Sequence, residues 1–175
     1  ELKAIDEKLV ALGQSFGENI VKDVRHISLD SSKQLAGLPA DYVAAHKPGK
    51  DGKIRITTDY PDYVPFMSYA NDGDLRKALY VEQRSRGGMD NELILRQILE
   101  LRFKKANMLG YANWADYITE DKMMKSGKNA EEFIERIYQI SRKRGERDYA
   151  ELLERKRKDV AAAKGVGDWE KTYYE

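Results

Sequence analysis

Apolar residues that recur every three or four positions constrain this chain more than any other feature of it. Leu2, Ile5, Leu9, Leu12, Phe16 and Ile20 share one stripe of a helix, because 3.6 residues per turn bring every third or fourth side chain back to the same face. The spacing predicts a helix to about Asp23. Leu75, Ala78 and Leu79 mark a second helix, capped by Asn71 or Asp72 and closed by Gly87-Gly88. Ile94, Ile98, Leu101, Lys105 and Met108 mark a third, capped by Asp90 and stopped at Gly110. Asn113 opens a short helix holding Trp114, Tyr117 and Ile118. Asn129 with Glu132 starts the longest, through Phe133, Ile137, Ile140, Leu152, Leu153 and Val160, before Gly165 and Gly167 end it. Asp168 caps a last one that runs to Glu175.

Two stretches alternate instead. In Arg25–Leu29, Ile27 and Leu29 lie on one side, with His26 and Ser28 on the other. Lys53-Ile54-Arg55-Ile56-Thr57-Thr58 follows the turn Pro48-Gly49-Lys50-Asp51-Gly52, and the two stretches are expected to pair antiparallel. Between them Ser31 and Gln34 fit a capping box, Gly37 is a stop, and Pro39 opens a short helix through Ala44 and Ala45. Tyr60-Pro61-Asp62-Tyr63-Val64-Pro65 is rigid and aromatic, and helix is expected from there onward. The fold class is therefore mainly α, a multi-helix domain with one small two-stranded antiparallel β ribbon. A length of 175 residues suits one domain over positions 1 to 175. Leu93, Ile94, Ile98, Leu101, Trp114, Phe133 and Ile137 are expected in its core.

Charge and composition narrow the function classes. Lys plus Arg number 31 and Asp plus Glu 30, a net charge of +1 with no overall field to draw nucleic acid or anionic lipid. The basic runs Arg142-Lys143-Arg144 and Arg155-Lys156-Arg157-Lys158 are interrupted by Glu146, Asp148, Glu151 and Glu154, the pattern of a solvated helix laced with ion pairs. No nucleic-acid partner is expected, and no membrane partner, since no run approaches the roughly 18 apolar residues of a span. There is no cysteine, which fits a reducing compartment such as the cytoplasm and leaves a periplasm open. Glu1-Leu2-Lys3-Ala4-Ile5-Asp6 is no signal peptide. With no initial methionine and helical spacing from Leu2, the chain is expected to be a piece of a longer one.

The residues offer little for catalysis. A zinc hydrolase most simply presents H-E-x-x-H, two histidines on one helical face with a glutamate base between them. Here the only histidines are His26 and His46, on separate elements. Neither is expected to bind metal. Asp72 with Asp74, and Glu131 with Glu132, fall in first turns, where negative charge suits the helix dipole. With no cysteine and no G-x-S-x-G turn, no catalytic residue, metal ligand or cofactor site is expected.

Several short phrases, in order, carry a family likeness. They are Ala36-Gly37-Leu38-Pro39-Ala40-Asp41, Asp51-Gly52-Lys53-Ile54-Arg55-Ile56-Thr57, Tyr60 to Pro65, Leu75-Arg76-Lys77-Ala78-Leu79-Tyr80 and Arg86-Gly87-Gly88-Met89-Asp90-Asn91. Ile98-Leu99-Glu100-Leu101-Arg102, Met108 to Tyr117, Met123-Met124-Lys125 and Asp168-Trp169-Glu170-Lys171-Thr172-Tyr173-Tyr174 follow. Together they resemble the family of zinc peptidases containing thimet oligopeptidase, neurolysin, oligopeptidase A and dipeptidyl carboxypeptidase. The resemblance implies an enzyme that hydrolyses short peptides with zinc, built as two mostly helical halves around a channel. No ligand or base of that family maps onto this chain, so the resemblance implies a non-catalytic scaffold or channel wall whose partner is the catalytic half of the same parent. Tyr173 and Tyr174 are the residues it would bring near the substrate channel. Trp169, Tyr173 and Tyr174 are expected to form an uncovered aromatic face, with self-association as its consequence. The rival reading is a stand-alone helical interaction module, which a stop codon after Glu175 in place of a later H-E-x-x-H would support.

Overall fold

The first stripe forms α1, Leu2–Lys22. Its partner is α5, Gly88–Met108, and the two run antiparallel, with Glu1 and Asp6 beside Lys104 and Lys105 while Phe16 and Asn19 meet Asn91. The computed structural model describes all 175 residues, in eight α-helices and one two-stranded antiparallel sheet. It divides into two compact units. The first comprises Glu1–Lys22 with Gly87–Glu146, and the second Asp23–Arg86 with Arg147–Glu175.

In the first unit the α1 and α5 pair is pinned by a polar side chain. Asn91 is buried, donates from Nδ2 to the Phe16 carbonyl at 3.0 Å, and accepts from Asn19 Nδ2 at 2.9 Å. α5 begins two residues before the expected cap Asp90, because Gly87 takes φ +80° and starts the helix earlier. Lys105, the polar member of the third stripe, reaches Asp6 at 2.5 Å, and that bond raises its pKa against burial. Ile5, Ile98 and Ala106 are the buried apolar residues.

α6, Trp114–Thr119, is capped by Asn113, whose Oδ1 accepts from the Asp116 N–H at 2.9 Å. α7, Gly127–Asp159, starts before Asn129, since the Ser126 hydroxyl accepts from the Asn129 N–H at 3.1 Å. Of the expected core, Ile98 is buried and Ile94, Leu101 and Trp114 are half-buried, whereas Leu93, Phe133 and Ile137 are exposed. A helix stripe marks the face able to be buried. Only a neighbouring element buries it, and Phe133 has beside its ring the Arg136 guanidinium of its own helix, 5.4 Å from the centroid.

The second unit holds the larger core. β1, His26–Leu29, pairs with β2, Ile54–Thr57, in the register Ile27 to Ile56 and Leu29 to Ile54, so the four aliphatic side chains share one face. Leu35, from a 3-10 turn opened by the Ser31 and Gln34 capping box, packs on that face. So do Tyr42 of α2, Ala40–Ala45, then Phe66 and Met67 of α3, Tyr60–Tyr69, and Leu79 of α4, Gly73–Arg84. The segment from Tyr60 to Pro65 is thus helix from its first residue. Pro61 sits in the first turn, where a missing N–H costs nothing, and Pro65 gives up one bond while the next two residues are buried. Asp72 caps α4, its Oδ1 accepting from the Asp74 and Leu75 N–H groups. No helix is long and apolar enough to cross a membrane.

Candidate functional site

Tyr173 and Tyr174 end the second unit, on α8, Lys171–Tyr174. The turn before them, Asp168–Glu170, is capped by Gly167 and not by Asp168, because the Glu170 carboxylate reaches back to accept from the Gly167 N–H at 2.8 Å. A Cβ on Gly167 would lie 2.6 Å from the Trp169 ring, so any larger residue there would have to push the indole aside. Glu170 is buried and bonded to Lys156 Nζ at 2.6 Å. Burial pushes its carboxyl upward, but the Lys156 and Gly167 hydrogen bonds, with the charges of Lys156 and Arg76, hold it below the ordinary glutamate value.

The basic run at the end of α7 is spent on this same segment. Lys156 also donates to the Gly165 carbonyl at 2.9 Å, Arg157 to Ala163 at 3.1 Å, and Arg155 to the carbonyls of Tyr174, at 2.9 Å, and Glu175. The Tyr149 hydroxyl accepts from the Val166 N–H at 2.9 Å. Charges that the sequence suggested would pair with acidic neighbours along the helix instead cap the carbonyls of the returning chain.

Arg76 completes the cluster from α4. It is 2% exposed, donates to the Ala70 carbonyl, and lays its guanidinium over the Tyr173 ring, 3.8 Å from the centroid. Its Nε is buried without a hydrogen-bond partner. The Tyr173 hydroxyl donates to Asn71 Oδ1 at 3.3 Å, and its ring meets Tyr174 edge to face at 5.0 Å. Tyr174 is 8% exposed and burial raises its pKa, while Tyr173 is half-buried. Trp169 packs against the main core below Lys77. The aromatic face is therefore covered by its own unit, contrary to the uncovered surface the spacing suggested, because Arg76, Lys77 and Asn71 bracket the rings. The sequence did not mark Arg76, whose position beside Leu75 in an amphipathic pattern reads as solvent-facing.

His46 has a different role. One ring nitrogen meets the Tyr42 carbonyl at 2.8 Å and the other Asp62 Oδ1 at 3.0 Å, with the ring stacked on Tyr42 at 4.1 Å. Asp62 Oδ2 accepts from the Thr57 N–H and hydroxyl. Burial pushes the Asp62 carboxyl up, but the Thr57 and His46 bonds bring it below its ordinary value. The group ties α2, α3 and β2 together. His26 sits exposed on β1, opposite Thr57. No three His, Asp or Glu side chains converge where they could hold a metal ion, so the residues present do not fit a zinc site. A groove of about 810 Å³ in the first unit is lined by Ala115, Ala130 and Ile134 with Glu131, Glu132 and Glu135, and has no histidine, serine or threonine on its walls.

The model of Peptidase family M3 matches residues 66–175, which includes Arg76, Lys156, Glu170 and both tyrosines. A thimet-like oligopeptidase of Dictyostelium discoideum is 31% identical over 160 residues, 90% of this chain and 24% of that protein. The organellar oligopeptidase A of Arabidopsis thaliana is 29% identical over 99% of this chain and 24% of its own length. The oligopeptidase A of Escherichia coli is 27% identical over 97% of this chain and 27% of its own. The chain thus spans about a quarter of the length of these relatives. With the family model matching well over half its residues, and relatives aligning along nearly all of it, this chain belongs to peptidase family M3.

Proposed function

We propose that these 175 residues are a non-catalytic helical segment of a zinc-dependent oligopeptidase of the cytosol, forming scaffold and channel wall around short peptide substrates. Family membership is the observation that carries the reading. Because the side chains present do not fit zinc, its ligands and general base are assigned to the remaining three quarters of a full-length relative, the catalytic half that would be this segment's partner. Tyr173, with Tyr174 behind it, is the residue assigned to the substrate channel. A half-buried ring clamped by Arg76 and Asn71 offers a fixed face for a peptide side chain.

Short quenched-fluorescent peptides test this. The chain alone should leave them uncut, and the longer polypeptide encoding an H-E-x-x-H helix after Glu175 should cleave them until a chelator is added. In that polypeptide Tyr173→Ala should raise KM several-fold with zinc content unchanged. Chelator-sensitive turnover that co-purifies with the 175-residue chain would overturn the scaffold reading. An unaltered KM in the tyrosine variant would remove Tyr173 from the channel.

A further inference from the structure

The ribbon of β1 and β2 has two outer edges, and its register decides which backbone groups lie on them. In an antiparallel pair, residues that exchange both hydrogen bonds alternate with residues whose N–H and C=O point away from the partner strand. The Thr58 N–H donates to the Arg25 carbonyl at 2.8 Å, which makes Arg25 and Thr58 an exchanging position. Counting on from there, Ile27 with Ile56 and Leu29 with Ile54 exchange bonds. The backbone groups of His26 and Ser28 therefore point outward from β1, and those of Arg55 and Thr57 outward from β2.

The two edges differ. On β2 the Thr57 N–H is taken by Asp62 Oδ2 at 3.0 Å. On β1 no hydrogen bond of the chain reaches the N–H or C=O of His26 or Ser28, and both residues are exposed. Nor does β1 carry the proline, lysine or bulge that commonly guards an edge. The apolar layer is also incomplete beside it. Leu29, Ile54 and Ile56 are at most 1% exposed, whereas Ile27, on the same face, is only half-buried.

Two N–H and two C=O groups repeating at every second residue match one kind of partner, an extended peptide backbone. In an antiparallel third strand, the residues opposite His26 and Ser28 exchange bonds with them and turn their side chains to solvent. The residue between them lies opposite Ile27 and turns its side chain to the core face, at the closer spacing of a non-exchanging pair. An apolar group there covers what is left open of Ile27.

We propose that β1 is a docking edge for a short extended peptide, added antiparallel as a third strand with an apolar residue against Ile27. The choice of a free peptide as occupant rests on the peptidase function proposed above, whereas the edge itself is separate from Tyr173. Recognition is through the backbone, so selectivity is confined to the middle side chain.

Nuclear magnetic resonance titration of the isotope-labelled 175-residue chain with acetyl-Thr-Leu-Thr-amide is the test. The His26 and Ser28 amide signals should move downfield and the Ile27 methyl signals should shift, with the Arg55 amide unmoved. Aspartate in place of the leucine, or N-methylation of both threonines, should weaken binding more than about tenfold. N-methylation of the leucine alone should not, because its N–H points away from β1. Ser28→Pro removes an outward donor and no bond of the ribbon, a position where proline is tolerated, and should weaken the unmodified peptide by a similar factor with circular dichroism unchanged. No shift at β1 up to the solubility limit of the peptide would overturn the proposal. So would binding indifferent to methylation of the threonines, a test that needs only the wild-type chain. The same shifts growing with protein concentration alone would also overturn it, since a second copy would then occupy the edge. Shifts confined to the Tyr173 ring would remove the docking edge and leave the channel reading in place. An unaltered KM in Tyr173→Ala would do the reverse.

Discussion

At Gly87 the backbone takes φ +80°, and a Cβ there would come within 2.3 Å of the Asn91 amide nitrogen. That amide is the one holding α1 to α5. Gly87→Ala is therefore expected to combine left-handed strain with displacement of a buried hydrogen-bonding group, a loss of about 2 to 4 kcal/mol, measurable as a lower denaturation midpoint at an unchanged slope. Glu170 is the counterpart in the second unit. Replacing it by Gln leaves the half-buried Lys156 without its counter-charge, which should cost roughly 1 to 2 kcal/mol at neutral pH. The pH dependence has a definite sign. A carboxyl whose folded pKa is depressed adds stability above its unfolded value of about 4.3, and that stability is lost as pH falls through the lower folded value. The wild type should thus lose stability in acid more steeply than Glu170→Gln, with Asp62 giving both a shared background slope. Parallel curves from denaturant titrations between neutral pH and acid would show that Glu170 is not linked to folding.

Elements differ in how much of them the sequence revealed. The ribbon's two strands and their antiparallel pairing were legible, because period-two alternation fixes which face is buried, whereas the register that sets Ile27 against Ile56 and Leu29 against Ile54 came from the structure. Helix existence was legible from the stripes, but helix caps moved by one to three residues from the capping side chain that the sequence suggested. Gly87 displaced Asp90, Ser126 displaced Asn129, and Gly167 displaced Asp168. Burial along α7 was the least legible, since periodicity names a face without naming what covers it. Around Tyr173 and Tyr174, the contacts made by Arg76 and the Lys156 to Glu170 pair were not legible, because they join residues that only the fold brings together. One consequence belongs to α7 itself. Gly145 lies within the helix with open space around its Cβ position, so Gly145→Ala should stabilise by about 0.5 to 1 kcal/mol in thermal unfolding. A destabilised variant would mean that another segment approaches the backbone there.

At the scale of the whole molecule, burial is unevenly shared. The second unit owns a continuous core from both strands, α2, α3 and α4, whereas the first has few fully buried side chains and relies on Asn91 and on ion pairs along α1 and α5. Heating should therefore release the first unit at a lower temperature, which near-ultraviolet signals from Trp114 and Trp169 would separate, one tryptophan reporting each unit. A single coincident transition at both would show that the units melt together. α7 runs from one unit into the other, and every side chain from Glu131 to Glu151 is exposed. Over those positions its amide protons are held by neighbouring turns alone, and isolated helices of that length open readily in water. In deuterium oxide the middle of α7 should exchange far sooner than its carboxyl end, where Lys156 and Arg157 fasten it to the returning chain, so the longest helix of the molecule should exchange unevenly along its length.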